Sequence, residues 1–268
     1  MSNLANAAPA ARAEPVLLRA DEDRVAILTL NRPRQFNALS GALLEALGRE
    51  IDDLTTNESI RVVMITGAGS AFCSGHDLKE MRALGSRQGV EELFFACSTI
   101  MQKLVALPVP VIAVVNGIAT AAGCQLVAQC DLAVASENAR FAASGINLGL
   151  FCSTPAVPLS RNVSRKRAAE MLFTGEFIEA TQALDWGLVN RVAPADRLME
   201  TAHELANNLK AKPREALALG KALFYRQLEM NLDPAYADAS RTIAWNMDAD
   251  IAREGVDAFF AKRSPRWK

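Results

Sequence analysis

Val62-Val63-Met64-Ile65-Thr66, closed by Gly67-Ala68-Gly69-Ser70, decides the fold class of this 268-residue chain. The run is short, apolar and rich in β-branched residues, and turn residues end it. It predicts a strand buried on both faces. Working outward, the same pattern occurs at Val25-Ala26-Ile27-Leu28-Thr29-Leu30. Asn31-Arg32-Pro33-Arg34 ends that run, because Pro33 cannot donate to a ladder. A third strand is predicted over 111–115, before Asn116-Gly117, and a fourth over 131–135. Helical patterns separate them. Ser40 suits an N-cap, and Leu43, Leu44, Leu47, Ile51 and Leu54 follow at helical spacing. Another helix is predicted over 89–107, and the small-residue segment 119–123 enters a further one. Buried strands alternating with helices predict an α/β fold with parallel strands and crossover helices.

After Arg161 the strands thin out. A helix over 167–173 stops at Thr174-Gly175, with glycine as its C-cap. Helices are predicted over 181–185 and 195–209, and only helix follows Pro213, over 215–228, 234–247 and 251–261. Three regions result: an Ala-rich leader at 1–15, expected to be disordered, a core at 16–205, and a helical C-terminal region at 206–268. Phe224, Trp245, Phe259 and Phe260 of that last region must pack against the core or a neighbouring subunit.

With 29 basic and 30 acidic residues, no field of one sign recruits nucleic acid or an anionic membrane. No apolar run approaches the ~20 residues that span a bilayer, and the N-terminus lacks the apolar segment of a signal peptide. The expected location is cytoplasmic, with the mitochondrial matrix as the alternative. The five cysteines, Cys73, Cys97, Cys124, Cys130 and Cys152, form no C-x-x-C pair. Free thiols are expected, with no zinc site or other metal and no nucleotide or redox cofactor.

Two loops carry the candidate chemistry. One is Ala71-Phe72-Cys73-Ser74-Gly75-His76-Asp77-Leu78-Lys79; the other is Asn116-Gly117-Ile118-Ala119-Thr120-Ala121-Ala122-Gly123-Cys124-Gln125. Each follows a buried strand and leads into a helix. Amides at a helix start have no partner inside the helix and favour negative charge in front of them. Two such amides converging on one point would make an oxyanion hole. The alternative is plain packing of small residues at a turn.

These loops belong to a series of motifs that resembles the enoyl-CoA hydratase/isomerase (crotonase) superfamily from about residue 20 onward. The matching segments are Leu30-Asn31-Arg32-Pro33 with Asn37-Ala38-Leu39, Phe72-Cys73-Ser74-Gly75-His76-Asp77-Leu78-Lys79, and Ala122-Gly123-Cys124-Gln125-Leu126 with Cys130-Asp131. Phe141, Asn147-Leu148-Gly149-Leu150, Phe173-Thr174-Gly175 and Gly187-Leu188-Val189 complete the series. Segments 119–128 and 149–155 are similar to one subgroup within it. The resemblance implies a crotonase-like spiral of ββα units with a C-terminal helical trimerisation region. It implies a homotrimer or dimer of trimers, and a coenzyme A thioester as substrate. By motif position the oxyanion-hole amides are those of His76 and Ala122. Ala38, Asp77, Leu78 and Lys79 fall on the CoA-binding wall. Lys262 and Arg34 fall near the CoA phosphates. For Arg34, Lys79 and Lys262 a solvated surface charge is the alternative.

The resemblance breaks where hydration chemistry is done. Family hydratases use two glutamates, and here their positions hold Gln125 and Gly145. Neither residue transfers a proton at neutral pH. A positioned acid or base contributes about 10²–10⁴ in rate. Histidine titrates near neutrality, so His76 is one possible substitute. Cys152 is another, with Ser153 and Thr154 after it in the loop following Gly149, although a nucleophilic thiol needs a lowered pKa and buried packing is the alternative for Cys152. Asp77 also suits a helix cap, and Glu137 is expected to face solvent. Three functions remain open. One is a nominal enoyl-CoA hydratase/isomerase of fatty-acid metabolism with altered acid–base groups. The second is a different oxyanion-hole reaction, such as decarboxylation of a malonyl-type CoA, in which loss of carbon dioxide forms the enolate without a base. The third is a non-catalytic acyl-CoA binder. Restoring both glutamates, Gln125→Glu with Gly145→Glu, is expected to raise hydratase activity.

Overall fold

The structure, a computed structural model, describes residues 14–267. The leader expected at 1–15 lies outside the described residues except for Glu14 and Pro15. A six-stranded sheet forms the centre. Strand β1 (Leu17–Glu22) pairs antiparallel with β2 (Val25–Leu30), which runs parallel to β3 (Val62–Gly67). Helix α1 (Gly41–Thr56) crosses between β2 and β3, and the Ser40 hydroxyl caps it by accepting from Leu43 N at 3.2 Å. Next come a short strand β4 (Ala71–Cys73), helices α2 (Leu78–Ala83) and α3 (Arg87–Ala106), and β5 (Val111–Val115) beside β3.

A second short strand, β6 (Ile118–Thr120), leads into α4 (Ala122–Gln129), and β7 (Leu132–Ser136) returns to the main sheet. Then follow β8 (Arg140–Ala142), α5 (Ser153–Asn162), α6 (Arg165–Thr174), β9 (Ile178–Glu179), α7 (Ala180–Asp185) and β10 (Arg191–Ala193). The main sheet has the order β1-β2-β3-β5-β7-β10; the short strands form a second sheet, β4-β6-β8-β9. The structure adds elements that the sequence reading lacks, among them β1, β8, β9, β10 and α5. Segments 71–73 and 118–120, read as loop, are strands paired with each other. With two or three residues each, such strands carry no periodic signal.

Near-continuous apolar runs suit the central strands because both sheet faces are covered. Val63, Ile65, Val111, Ala113 and Val115 turn to one face, where Leu43, Leu47, Ile51, Met101 and Leu104 of α1 and α3 meet them. Val62, Met64, Ile112 and Val114 turn to the other, under Leu198, Ala202 and Ala206 of α8 (Leu198–Lys210).

Three helices complete the chain: α9 (Arg214–Gln227), α10 (Leu232–Asp248) and α11 (Asp250–Phe260). One buried ion pair fastens α9 to the sheet. Lys221 Nζ lies 2.7 Å from Asp131 Oδ2 and also donates to the carbonyls of Leu104 (2.9 Å) and Val109 (3.0 Å). All three ammonium protons are thereby used. Tyr225 donates its hydroxyl to Asp131 Oδ1 at 2.8 Å. The outer faces of α9–α11 expose Phe224, Tyr236, Trp245, Phe259 and Phe260. No helix among the described residues is long and apolar enough to cross a membrane.

Candidate active site

The ends of β4 and β6 bring the two loops together. Gly75 sits at φ +94°, a conformation that glycine adopts without strain. A β carbon there would lie 2.9 Å from Ala121 Cβ and 3.2 Å from Ala122 N. Only glycine lets the two backbones approach this closely. Ala121 carries the complementary strain, at φ +50° and ψ −121°. Non-glycine residues at positive φ cost about 1–3 kcal/mol and cluster at functional sites. Its N–H is held by Ala142 O at 2.9 Å, so β8 fixes the turn from which α4 starts.

Backbone pairing sets which amides stay free. Leu39 N donates to Gly75 O (2.8 Å) and Asp77 N to Leu39 O (3.1 Å), a parallel bridge flanking His76. In an extended segment successive N–H groups point to opposite sides. The His76 N–H therefore points away from Leu39, and among the described residues it donates to no backbone carbonyl. Ala122 is the first residue of α4, whose first internal bond is Gln125 N to Ala121 O at 3.0 Å. Its N–H consequently has no partner within the helix.

His76 and Ala122 line one cavity of about 590 Å³. Leu78 and Met81 of α2, Val90 and Phe94 of α3, and segment 148–155 supply most of the wall. Ser74, Ser144, Ser153 and Thr154 are its hydroxyls, and among the described residues no aspartate, glutamate, lysine or arginine lines it. The His76 ring meets Phe94 edge-on, with centroids 4.8 Å apart. Neither ring nitrogen has a hydrogen-bond partner among the described residues. Burial pushes its pKa down to about 4, and the nearby Leu39 backbone opposes this only weakly, so the imidazole is neutral at pH 7.

Gln125 and Gly145, expected to stand where family hydratases carry glutamates, have different surroundings. Gln125 is 3% exposed, its Oε1 has no partner, and it is not among the residues that line the cavity. Gly145 does line the cavity, but a side chain there has nowhere to go. A β carbon would stand 2.6 Å from Leu150 O and 2.8 Å from Cys152 Sγ. The Gly145 N–H donates to that sulfur at 3.2 Å. Thus Cys152 fills the space beside Gly145, and a Gly145→Glu side chain would have to displace Cys152 and the Leu150 carbonyl. Burial raises the Cys152 pKa, and the Gly145 N–H pulls it back only partly, so the thiol stays protonated. Ser153 begins α5 rather than continuing a loop.

The remaining sequence-derived residues divide. Leu78 lines the cavity mouth. Ala38 is buried, and its carbonyl accepts from Arg32 Nη1 at 2.6 Å. Asp77 is not a free carboxylate on the wall. It caps α2 by accepting from Lys79 N (3.1 Å) and Glu80 N (3.3 Å), and it pairs with Arg32 at 2.9 Å. Lys79 lies exposed on α2, and Arg34 lies exposed in the 3-10 turn Pro33–Gln35. Lys262 follows α11 at φ +52°, outside the cavity lining. Glu137 is exposed, as expected, and accepts from Ala195 N at 3.4 Å. Arg32 and the α3 wall residues Val90 and Phe94 went unassigned in the sequence reading. Arg32 belongs to the Leu30–Pro33 motif, and the wall residues leave only helical spacing.

The sequence model of the family described as Enoyl-CoA hydratase/isomerase matches residues 20–268. The chain belongs to that family. A solved structure of an enoyl-CoA hydratase from Mycobacterium smegmatis is 57% identical, with a TM-score of 0.93, and the match covers 95% of this chain and 99% of that one. Human enoyl-CoA hydratase domain-containing protein 3 is 44% identical in its solved structure, with a TM-score of 0.91, 94% of this chain and 100% of that chain covered. Its rat counterpart, named as mitochondrial, is 47% identical over 246 residues, covering 92% of this chain and 82% of that protein. The fold is accordingly the α/β crotonase fold, and the subgroup similarity carried by segments 119–128 and 149–155 is to domain-containing protein 3.

Proposed function

We propose that this crotonase-family chain binds an acyl-CoA thioester and polarises its carbonyl oxygen between the amide N–H groups of His76 and Ala122. One observation supports the reading: His76 and Ala122, on two closely packed loops, line the same cavity. Preorganised amides aimed at developing negative charge are worth about 10²–10³ in rate each. Ala38, Leu78 and Lys79 contact the CoA arm, with Arg34 and Lys262 toward its phosphates.

The groups available limit the chemistry. At pH 7 the cavity wall holds a neutral imidazole, a protonated thiol and hydroxyls. Among the described residues no carboxylate lines the cavity to move a proton between water and the acyl chain. Two-glutamate hydration is therefore weak, at least about 10²-fold below a hydratase that keeps one such group. Loss of carbon dioxide from a malonyl-type CoA needs no base and remains the second reading. Binding without turnover is the third. A panel of acyl-CoA thioesters analysed by mass spectrometry separates them. Hydration of crotonyl-CoA at ordinary hydratase rates refutes the reading of the missing acids. Carbon dioxide released from methylmalonyl-CoA, and lost in a folded Ala122→Pro variant, establishes the second. Bound thioester with no product establishes the third.

The exposed aromatic faces of α9–α11 suit burial against second copies, which supports the homotrimer or dimer of trimers. The names of the rat and human relatives favour the mitochondrial alternative over the cytoplasmic expectation.

A further inference from the structure

The motif Leu30-Asn31-Arg32-Pro33 with Asn37-Ala38-Leu39 lies outside the cavity, yet its side chains converge on the loop that presents the His76 amide. Arg32 is a part-buried cation whose fork grips two points. Nη1 donates to Ala38 O at 2.6 Å and Nη2 to Asp77 Oδ2 at 2.9 Å. Ala38 directly precedes Leu39, the residue whose N–H and C=O hold Gly75 and Asp77. Asp77 directly follows His76. The guanidinium therefore closes a ring around the bridge, tying the strand on one side of the hydrogen bonds to the strand on the other. Asp77 extends the ring into α2 through its cap bonds to Lys79 N and Glu80 N.

A second side chain anchors the same segment. Asn37 is fully buried at φ +55°. Its amide donates to Ala68 O (2.9 Å) and Ala71 O (2.7 Å), and its Oδ1 accepts from Arg32 N (2.9 Å). The backbone of Arg32 is thus pinned to the start of β4, the strand that delivers Gly75 and His76. From this arrangement we infer that Arg32 is a positioning residue, which aims the His76 N–H at the thioester oxygen by clamping Ala38 and Asp77 across the Leu39–His76 bridge.

The inference rests on the oxyanion reading of that amide and adds what sets its direction. A planar fork satisfies both acceptors at fixed angles, whereas a lysine ammonium offers a point charge without that geometry. A donor misplaced by about 1 Å can cost about 10²-fold in a reaction that depends on it. The ring does not touch the ligand, so its loss changes what the amide does to the carbonyl more than how tightly the thioester binds.

The test uses 4-(dimethylamino)cinnamoyl-CoA, a push–pull thioester whose absorption moves to longer wavelength when its carbonyl oxygen accepts hydrogen bonds. The full-length wild type is expected to bind it with such a shift. The variant Arg32→Met/Asp77→Asn removes both charges together, so no buried ion is orphaned. It is expected to keep Kd within about threefold and to lose more than half the shift. Arg32→Lys is expected to fall between the two. Should the double variant fail to fold by circular dichroism, Asp77→Asn alone serves, since an asparagine oxygen still caps α2. A folded variant that binds normally with an undiminished shift overturns the inference, as does one that loses binding and keeps the shift per bound molecule. A wild type that binds without any shift instead refutes the oxyanion reading itself.

Discussion

Gly145→Ala is a small change that the structure makes severe. The new β carbon would sit 2.6 Å from Leu150 O and 2.8 Å from Cys152 Sγ, where ordinary contacts begin at 3.4 Å. The shortfall against a backbone oxygen is about 0.8 Å, so residues 150–152 must move as a unit. Overpacking of this kind costs about 1–3 kcal/mol, and a clash with main chain belongs at the upper end. For a protein of this size that is a fall of roughly 4–12 °C in Tm. Cys152→Ala removes the sulfur clash but not the carbonyl clash. In the double variant part of the Gly145→Ala loss therefore returns, a coupling of about 0.5–1.5 kcal/mol. Urea denaturation of the wild type, both single variants and the double variant measures it. A Gly145→Ala protein with unchanged Tm, or strictly additive losses, refutes the claim that Cys152 fills the space of a side chain at 145. It would also make Gly145→Glu a fair restoration of the family's acid.

Three other expectations concern Asp131, His76 and the exposed aromatic face. Asp131→Ala leaves the buried Lys221 ammonium without its counter-ion, which costs about 3–5 kcal/mol in a denaturation measurement; a loss below about 1 kcal/mol refutes that account of the pair. The His76 pKa lies near 4 in the folded chain and near 6.5 unfolded, so only the unfolded state takes up this proton between those values. Stability therefore falls as pH drops from about 6.5 to 4; His76→Phe flattens that limb, and an NMR titration midpoint near 6.5 for His76 contradicts it. Trp245→Glu/Phe260→Glu puts charge on the exposed aromatic face of α10 and α11 and is expected to shift sedimentation toward smaller species, whereas unchanged assembly moves the contact elsewhere.

The α/β class was legible because β3 and β5 are buried on both faces and read as unbroken apolar runs. Helices α1 and α6 were legible from Ser40, from leucines at helical spacing and from Gly175, whereas α5 was not. The second sheet was not legible from periodicity. Ala71-Phe72-Cys73 and Ile118-Ala119-Thr120 are three residues each, and pairing across the chain, not local propensity, makes them strands. The same limit applied to the site. Positions 76 and 122 could be carried over by motif, because glycine and small residues leave a mark where backbones touch. Nothing local told that the sulfur of Cys152 lies against Gly145, or that Asp77 is engaged by Arg32, 45 residues away. Both facts belong to tertiary packing.

The grip of Lys221 on Asp131 bears on how the chain could be cut. Asp131 also accepts from Val111 N at 2.7 Å, so its carboxylate organises the start of β5 from inside the molecule. A protein ending before residue 213 would keep that negative charge under the sheet edge with its cation gone. The last three helices are therefore no detachable accessory. Shortened versions of the chain should collapse or aggregate, and swapping the tail for that of a relative succeeds only if an ammonium arrives at the same spot.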